Sequence, residues 1–180
     1  MASNDAARAG VAAEAGQGIV ATGTRAAPAN RAQAREQAPR RGDWNACTVD
    51  DPDRNLAACR KIVRRALKGA PAQAQSDLAD GLNLAWQGET GEAIAAFDRA
   101  IAAAPGSAFA YLNRGMAYRH RGDLERALAD LDRAVDHAPA EARVYYNRSL
   151  VLRASGAVAR ARRDEQRAVE LDPAYAGLVR

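Results

Sequence analysis

The chain has 180 residues, a net charge of +4, a mean hydropathy of −0.41 and 48% hydrophobic residues, which fits one soluble domain or a modest repeat array. Alanine supplies about a quarter of the residues, so any core must be thin and closely packed, which favours stacked helices over a deep globule. Residues 1–42 carry six arginines against three carboxylates, or +3, which leaves +1 for residues 43–180 and removes the main electrostatic support for nucleic-acid binding.

The first predicted element is a tail over residues 1–42. It contains scattered Ala, Gly, Arg, Gln and Pro with no aromatic residue, a composition that predicts disorder. Its brief apolar patch, "GQGIVATGT", is too short for a secretory signal, so no signal peptide or membrane span is expected. Contact of this basic tail with nucleic acid or an anionic membrane surface is one alternative function, although neither contact is favoured.

Residues 43–71 come next and resemble a degenerate form of the unit that follows. The segment "DDPDRNLAACRKIV" aligns with "GDLERALADLDRAV" further along the chain. This alignment predicts a divergent partial repeat, with Pro52 at the start of a helix and with Cys47 and Cys59 on facing helices.

From residue 74 onward the chain repeats itself every 34 residues. Four columns keep this spacing over three copies without a gap, which is strong evidence for a repeat architecture. The columns are Gly81, Gly115 and Ser149; Ala93, Ala127 and Ala161; Ala100, Ala134 and Ala168; and Pro105, Pro139 and Pro173.

Each copy is predicted to form two helices. Apolar residues at helical spacing mark the first, as in Tyr111, Leu112 and Met116. Glycines then break the chain at matching places, Gly88, Gly122 and Gly156, where a positive φ ends a helix at little cost. The second helix ends before its proline, which disfavours helical geometry in the preceding residue.

This pattern resembles the tetratricopeptide repeat over residues 74–173. The resemblance implies an all-α, right-handed superhelical solenoid of antiparallel helix pairs, with repeats at 74–107, 108–141 and 142–175 and a C-terminal cap remnant at 176–180. The residues expected to pack the repeats are those of the four columns together with Phe97, Tyr118 and Leu131. The third copy has Arg162 and Glu165 at apolar positions, which predicts a solvent-facing end.

The resemblance also implies an extended concave groove lined by the first helices. Asn113 and Asn147 occupy one repeat position, where an asparagine of some family members bonds the backbone of a bound peptide; an amide suits this because it offers donor and acceptor together. Arg119 and Arg153, also 34 apart, could attract an acidic side chain. The other predicted groove residues are Leu82, Trp86, Phe109, Met116 and Tyr146. Ordinary solvated residues on a helix are the alternative for the two asparagines and two arginines.

The two cysteines, Cys47 and Cys59, are twelve residues apart. The alternatives are a disulfide, which would imply an oxidising compartment, and two free thiols packed as small apolar residues. The stretch "DWNACTVDDPDRNLAACRKIV" looks like the amino-terminal part of exported bacterial tetratricopeptide proteins, which favours a periplasmic location over a cytoplasmic one. A metal site is not expected, because His120 and His137 lie far from both cysteines in the sequence.

The sequence predicts no enzymatic activity and no cofactor. It contains no nucleophile motif or phosphate-binding loop, and the carboxylate pairs Asp130 with Asp132 and Asp164 with Glu165 are interpreted as solvated helix faces. The leading prediction is an adaptor or scaffold that binds an extended segment of a protein or peptide partner, as a monomer or a weakly self-associating oligomer. A structural, self-associating solenoid is the alternative. Leu78, Ala79 and Leu82 depart from the residues of carboxylate-clamp proteins, which argues against a chaperone-tail clamp.

Overall fold

The computed structural model describes residues 47–51 and 53–179, and over these residues the protein is all-α, as predicted. The predicted tail at residues 1–42, with its expected disorder and contacts, lies outside the described residues. The helices found in the described part of the chain are α1 (Leu56–Ala66), α2 (Ala72–Gln87), α3 (Thr90–Ala103), α4 (Ala108–His120), α5 (Leu124–His137), α6 (Ala142–Ala154), α7 (Val158–Leu171) and a closing 3-10 helix (Pro173–Gly177).

Short polar side chains and glycines set several of the helix ends. The side chains of Ser107 and Asp123 accept hydrogen bonds from the backbone N–H groups of Ala110 and Arg126, which caps α4 and α5. Gly88, Gly122 and Gly156 have φ values of 88°, 79° and 80°, the left-handed geometry expected where each first helix ends.

The helices pack in pairs. Contacts are most extensive within α2–α3, α4–α5 and α6–α7, and fewer contacts join α3 to α4 and α5 to α6. The first helices also contact one another, α2 with α4 and α4 with α6. We take the face of α2, α4 and α6 as the inner, concave face of the solenoid, with α3, α5 and α7 on the outside.

Small residues lie where the two helices of a repeat come closest. A Cβ atom at Gly81 would collide with the Phe97 ring, and one at Gly115 would come within 3.1 Å of the Ala127 carbonyl oxygen and 3.2 Å of Leu131 Cγ. The alanines of the two repeat columns are completely buried: Ala93, Ala100, Ala127, Ala134, Ala161 and Ala168. The column residues therefore pack the helix pairs, because any larger group would force the helices apart.

Two arginines join consecutive helices at equivalent repeat positions. Arg114 on α4 makes two hydrogen bonds with Asp130 on α5, of 2.8 and 2.7 Å, and a third of 2.6 Å with Asp98 on α3. Thirty-four residues later, Arg148 on α6 pairs with Asp164 on α7 and with Asp132 on α5, at 2.7–2.8 Å. Each arginine thus links the two helices of its own repeat to the second helix of the repeat before.

The interpretation of the carboxylate pairs as solvated is wrong for three of the four residues. Asp130 and Asp164 are buried, and each carboxylate accepts two hydrogen bonds from one arginine. Glu165 is also buried, and it accepts two hydrogen bonds from Arg153, of 2.6 and 2.7 Å. The predicted solvent-facing end is therefore wrong at Glu165, although Arg162 is exposed. Ion pairing explains the burial, since a paired carboxylate can leave water at a far lower cost than an isolated one.

The closing 3-10 helix covers the last repeat. Tyr175 is 3% exposed and its ring lies 5.4 Å from that of Tyr146 on α6. The burial of Tyr175 raises the pKa of its phenol to about 12, although Arg143 partly opposes this shift. The C-terminal end of the array is thus closed by an aromatic contact.

The N-terminal end differs from the predicted helix pair. The helix begins at Leu56, with Asn55 as its cap, and not at Pro52. Cys47 lies in a turn before this helix, so the two cysteines are not on facing helices. Over the described residues, none of the helices is both long and apolar enough to cross a membrane.

Candidate functional site

A turn formed by residues 47–51 lies against the concave face. Its backbone closes through a hydrogen bond of 3.0 Å from the Asp51 N–H to the Thr48 carbonyl. The Asp51 carboxylate accepts hydrogen bonds from the N–H groups of Cys47 and Asp53, at 2.7 and 2.9 Å. The turn is therefore held in shape by its own backbone and by one buried carboxylate.

A disulfide attaches this turn to α1. Cys47 and Cys59 are bonded to each other, and each is 1% exposed. Their sulfurs and a carboxylate oxygen of Asp51 lie within 4.8 Å of one another, the one such group among the described residues. Both sulfurs are bonded to each other, and the carboxylate accepts hydrogen bonds from backbone N–H groups. We therefore interpret the group as a disulfide-bonded turn and not as a metal centre.

Asn113 on α4 holds the backbone of the turn. Its Oδ1 atom accepts a hydrogen bond of 3.0 Å from the Val49 N–H, and its Nδ2 atom donates to the carbonyls of Phe109, at 2.9 Å, and Cys47, at 3.5 Å. The side chain is completely buried. The amide thus binds a backbone donor and a backbone acceptor of the turn, which is a segment of the same chain, and its use for a separate peptide stays a prediction.

Three further side chains also contact the turn. The Trp86 indole N–H on α2 donates to the Thr48 carbonyl at 3.0 Å. Arg119 and His120, at the end of α4, contact the Asp50 carboxylate at 3.1 and 2.5 Å. Burial opposes the ionisation of Asp50, but the hydrogen bond and charge of His120, with a smaller effect from Arg119, outweigh it and hold the pKa of Asp50 below its usual value.

The equivalent positions on α6 have different contacts. The Asn147 Nδ2 atom donates to the Arg143 carbonyl at 2.8 Å, while its buried Oδ1 atom has no hydrogen-bond partner among the described residues. Arg153 pairs with Glu165 of its own repeat. The two predicted asparagines and two predicted arginines therefore lie in two separate environments, one of which contains the turn.

The predicted apolar groove residues need correction. Leu82 and Met116 are completely buried in the core, and Tyr146 is 7% exposed beneath Tyr175. These three side chains lie below the surface of the concave face. The turn and the closing 3-10 helix cover parts of that face. Phe109 is partly buried, with the Arg143 guanidinium 5.9 Å above its ring, and Trp86 is partly exposed beside the turn.

The sequence did not indicate that Thr48, Val49 and Asp50 bind to the groove. The contacts join residues that are 38 to 70 positions apart, which no local pattern encodes. The one available indication was the cysteine pair, which fixes residue 47 beside α1. Beside the turn, an open cavity lies between the ends of α2 and α4, lined in part by Asp50, Arg54, Trp86 and His120.

Comparison with known proteins agrees with this repeat geometry. A family model described as tetratricopeptide repeat matches residues 78–140 and 112–176, which together span more than half of the chain. No curated protein sequence is significantly similar to the chain.

Several solved structures share the fold. The second TPR of Spaghetti (RPAP3), bound to the HSP90 peptide SRMEEVD, is 23% identical with a TM-score of 0.54, over 62% of this chain and 99% of that one. The second TPR domain of human RPAP3, in complex with the HSP70 peptide SGPTIEEVD, is 27% identical with a TM-score of 0.54, over 56% and 84%. MamA is 21% identical with a TM-score of 0.55, over 68% and 71%.

Proposed function

Because the chain belongs to the tetratricopeptide repeat family, we propose that it is an adaptor that binds a segment of another protein on the concave face of α2, α4 and α6. The observation that carries this proposal is the contact of Asn113 with the backbone of residues 47–49. It indicates that the face has the chemistry to bind a peptide backbone, since the same amide supplies both an acceptor and a donor.

A relative supports the same use of the face. The human RPAP3 domain, at 27% identity, was solved with an HSP70 peptide whose sequence ends in Val-Asp. The turn on the concave face of this chain also contains Val followed by Asp, at Val49 and Asp50. Leu78 and Ala79 still argue against the chaperone tail itself as the partner, so the shared feature is the chemistry of an acidic segment.

The part of the groove that we propose for a partner is centred on α6. Asn147 is at the repeat position of Asn113 and has a buried Oδ1 atom without a hydrogen-bond partner among the described residues. A buried acceptor in this state has a free-energy cost, which a backbone N–H of a partner would remove. Trp86 and His120, which occupy one repeat position, both contact the turn. Ala154 occupies the same repeat position on α6 and is exposed.

Site-specific photo-cross-linking tests the proposal. The cross-linking amino acid p-benzoyl-phenylalanine replaces either Ala154, on α6, or Ala159, which is exposed on the outer helix α7. In a lysate of the native source, we expect position 154 to give a discrete adduct with another protein and position 159 to give none. Asn147→Ala should reduce the yield at position 154 by about tenfold, the effect of one lost hydrogen bond to a buried group.

Two results would contradict an adaptor role. One is equal adducts from positions 154 and 159, which would indicate random collision. The other is an adduct at position 154 whose yield does not change in the Asn147→Ala variant although that variant keeps its helical circular dichroism. The peptides of the adduct identify the partner by mass spectrometry.

A further inference from the structure

The turn at residues 47–51 occupies a site that is built mainly from two helices far from it in sequence. Trp86 binds the Thr48 carbonyl, Asn113 binds the backbone of residues 47 and 49, and Arg119 with His120 binds the Asp50 carboxylate. We propose that these four side chains form a binding site for an acidic segment of a partner protein, that residues 47–50 occupy it as a built-in ligand, and that the Cys47–Cys59 disulfide keeps it closed. This inference rests on the proposed adaptor function.

The positions of the four side chains favour a recognition site over a purely structural contact. Trp86 and His120 are 34 residues apart and occupy one repeat position on α2 and α4. Asn113 and Arg119 have counterparts at equivalent positions on α6, Asn147 and Arg153. The asparagine and the arginine of the site thus recur at equivalent positions on α6, where Arg153 pairs with Glu165 instead, and the built-in turn contacts the pair on α4.

The contacts define the chemistry of the partner segment. Three of them involve main-chain atoms, which any peptide can supply. The side-chain requirements are an apolar residue at the place of Val49, which packs against both main core clusters, and a carboxylate directly after it. The partner is therefore expected to present a β-branched or similar apolar residue followed by Asp or Glu, since Arg119 and His120 bind a carboxylate through charge and hydrogen bonds.

The disulfide determines whether the turn can leave. Cys59 belongs to α1, which packs against α2, so the bond fixes Cys47 beside α1 and restricts the movement of the neighbouring residues. Without the bond, only the backbone that follows the turn connects it to α1, so the turn can swing into solvent. Even without the bond, the backbone keeps the turn near the site, at an effective concentration on the order of millimolar. The turn therefore still competes with an external segment through the contact of Asp50. Both the bond and this contact must be removed to open the site fully.

Reduction of the Cys47–Cys59 disulfide, which would release the turn, needs an external dithiol. One of its thiolates attacks a sulfur of the Cys47–Cys59 bond and forms a mixed disulfide, which its second thiol then resolves. The reductant leaves as a cyclic disulfide, and Cys47 and Cys59 each end as a thiol carrying one proton. Two electrons and two protons thus pass from the dithiol to the protein.

A defined peptide tests the proposal with the full-length chain. The probe is a fluorescent decapeptide with the sequence of residues 45–54 and serine in place of Cys47, NASTVDDPDR, followed by fluorescence anisotropy. Three proteins are compared: the oxidised chain, the Cys47→Ser/Cys59→Ser variant, and the same variant with Asp50→Asn, which also neutralises the built-in carboxylate. We expect no binding to the oxidised chain at about 1 mM peptide. Affinity should rise by about tenfold or more from the oxidised chain to the double cysteine variant, and again by about tenfold or more from that variant to the triple variant.

Two controls identify the site. A probe with asparagine in place of its first aspartate should bind the triple variant about tenfold more weakly, because it cannot pair with Arg119 and His120. Asn113→Ala in the triple variant should abolish binding while the helical circular dichroism is unchanged. The wild-type chain reduced with dithiothreitol repeats the opening without any substitution.

Several outcomes would overturn the proposal. They are a folded triple variant that does not bind the probe, equal binding of the acidic and neutral probes, and equal binding to the oxidised and opened chains. Loss of helical structure in both the reduced chain and the cysteine variant would also overturn it, because the turn would then be part of the fold. A reduced chain that dimerises by exchanging its turns would overturn the claim of a separate partner. An adduct at position 154 would leave the adaptor function standing in each case.

Discussion

Gly81 has no side chain because the ring of Phe97 fills the space that a Cβ atom would take. Phe97 is completely buried, so its ring cannot move aside without disturbing the core between α2 and α3. We therefore expect Gly81→Ala to lower the free energy of unfolding by about 1–3 kcal/mol, as overpacking of a core does. Urea denaturation followed by circular dichroism measures the change.

Gly91→Ala is the matched control for this substitution. Gly91 also lies in a helix, but a Cβ atom there would meet no neighbour within 4 Å. Alanine should stabilise this position by up to about 1 kcal/mol through its higher helix propensity. Equal effects at the two positions would show that helix propensity, and not the contact with Phe97, determines the result.

Tyr175 makes stability depend on pH in the alkaline range. Its buried phenol has a pKa raised to about 12 from an ordinary value of 10.0, so the unfolded chain loses this proton at a lower pH than the folded chain. The contribution of the neutral phenol to stability is complete below pH 10 and is lost as the pH rises from 10 to 12, by about 2 kcal/mol. Tyr175→Phe should remove this part of the alkaline loss.

Urea denaturation of the wild type and Tyr175→Phe between pH 9 and 12 checks this expectation. The difference between the two chains at pH 9 gives the contribution of the neutral hydroxyl group, and its change with pH gives the effect of ionisation. Two curves that stay parallel up to pH 12 would mean that the phenol ionises equally in the folded and unfolded chains.

The arginine contacts hold whole helices together. Arg148 allows a matched comparison, because it binds one buried and one exposed carboxylate. Arg148 binds Asp164, whose side chain is 10% exposed, and Asp132, whose side chain is 51% exposed. Asp164→Asn should destabilise the chain by about 2–3 kcal/mol, because it removes the charge and one of the two hydrogen bonds that Asp164 offers to the largely buried Arg148. Asp132→Asn should cost less than about 1 kcal/mol, as exposed ion pairs do.

Thermal unfolding of the two asparagine variants separates these contributions, with the double variant as a test of coupling. If the arginine shares its charge between the two carboxylates, the double variant should be less stable than the sum of the single effects predicts. Equal destabilisation by the two single substitutions would contradict the view that burial determines the strength of each contact.

The helices could be predicted from the sequence because each repeat keeps its small residues, glycine breaks and prolines at fixed spacing. The predicted breaks at Gly88, Gly122 and Gly156 have the positive φ values that the spacing indicated. The turn at residues 47–51 could not be predicted, because its contacts with Trp86 and Asn113 exist only after the helices have packed. Glu165 was misjudged for the same reason, since Arg153 approaches it from the facing helix.

Over the described residues, short non-repeating segments cover both ends of the repeat array. The turn and α1 cover the first helix pair, and the disulfide joins them to each other. The closing 3-10 helix covers the last pair through Tyr175. Because a solenoid exposes apolar surface wherever a neighbouring repeat is missing, these two segments are expected to keep the chain monomeric.

Removal of the closing segment tests this expectation. A chain that ends at Asp172 lacks Tyr175, which contacts the Tyr146 ring and belongs to one buried cluster with Tyr146, Ala142 and Ala168. It should be less stable by about 2–3 kcal/mol, the value for uncovering one large side chain, and it should self-associate as its concentration rises. Sedimentation velocity over a hundredfold range of concentration measures the association, with Tyr175→Phe as the control that keeps the cap. A folded, truncated chain that stays monomeric over that range would mean that the 3-10 helix is not what keeps the array monomeric.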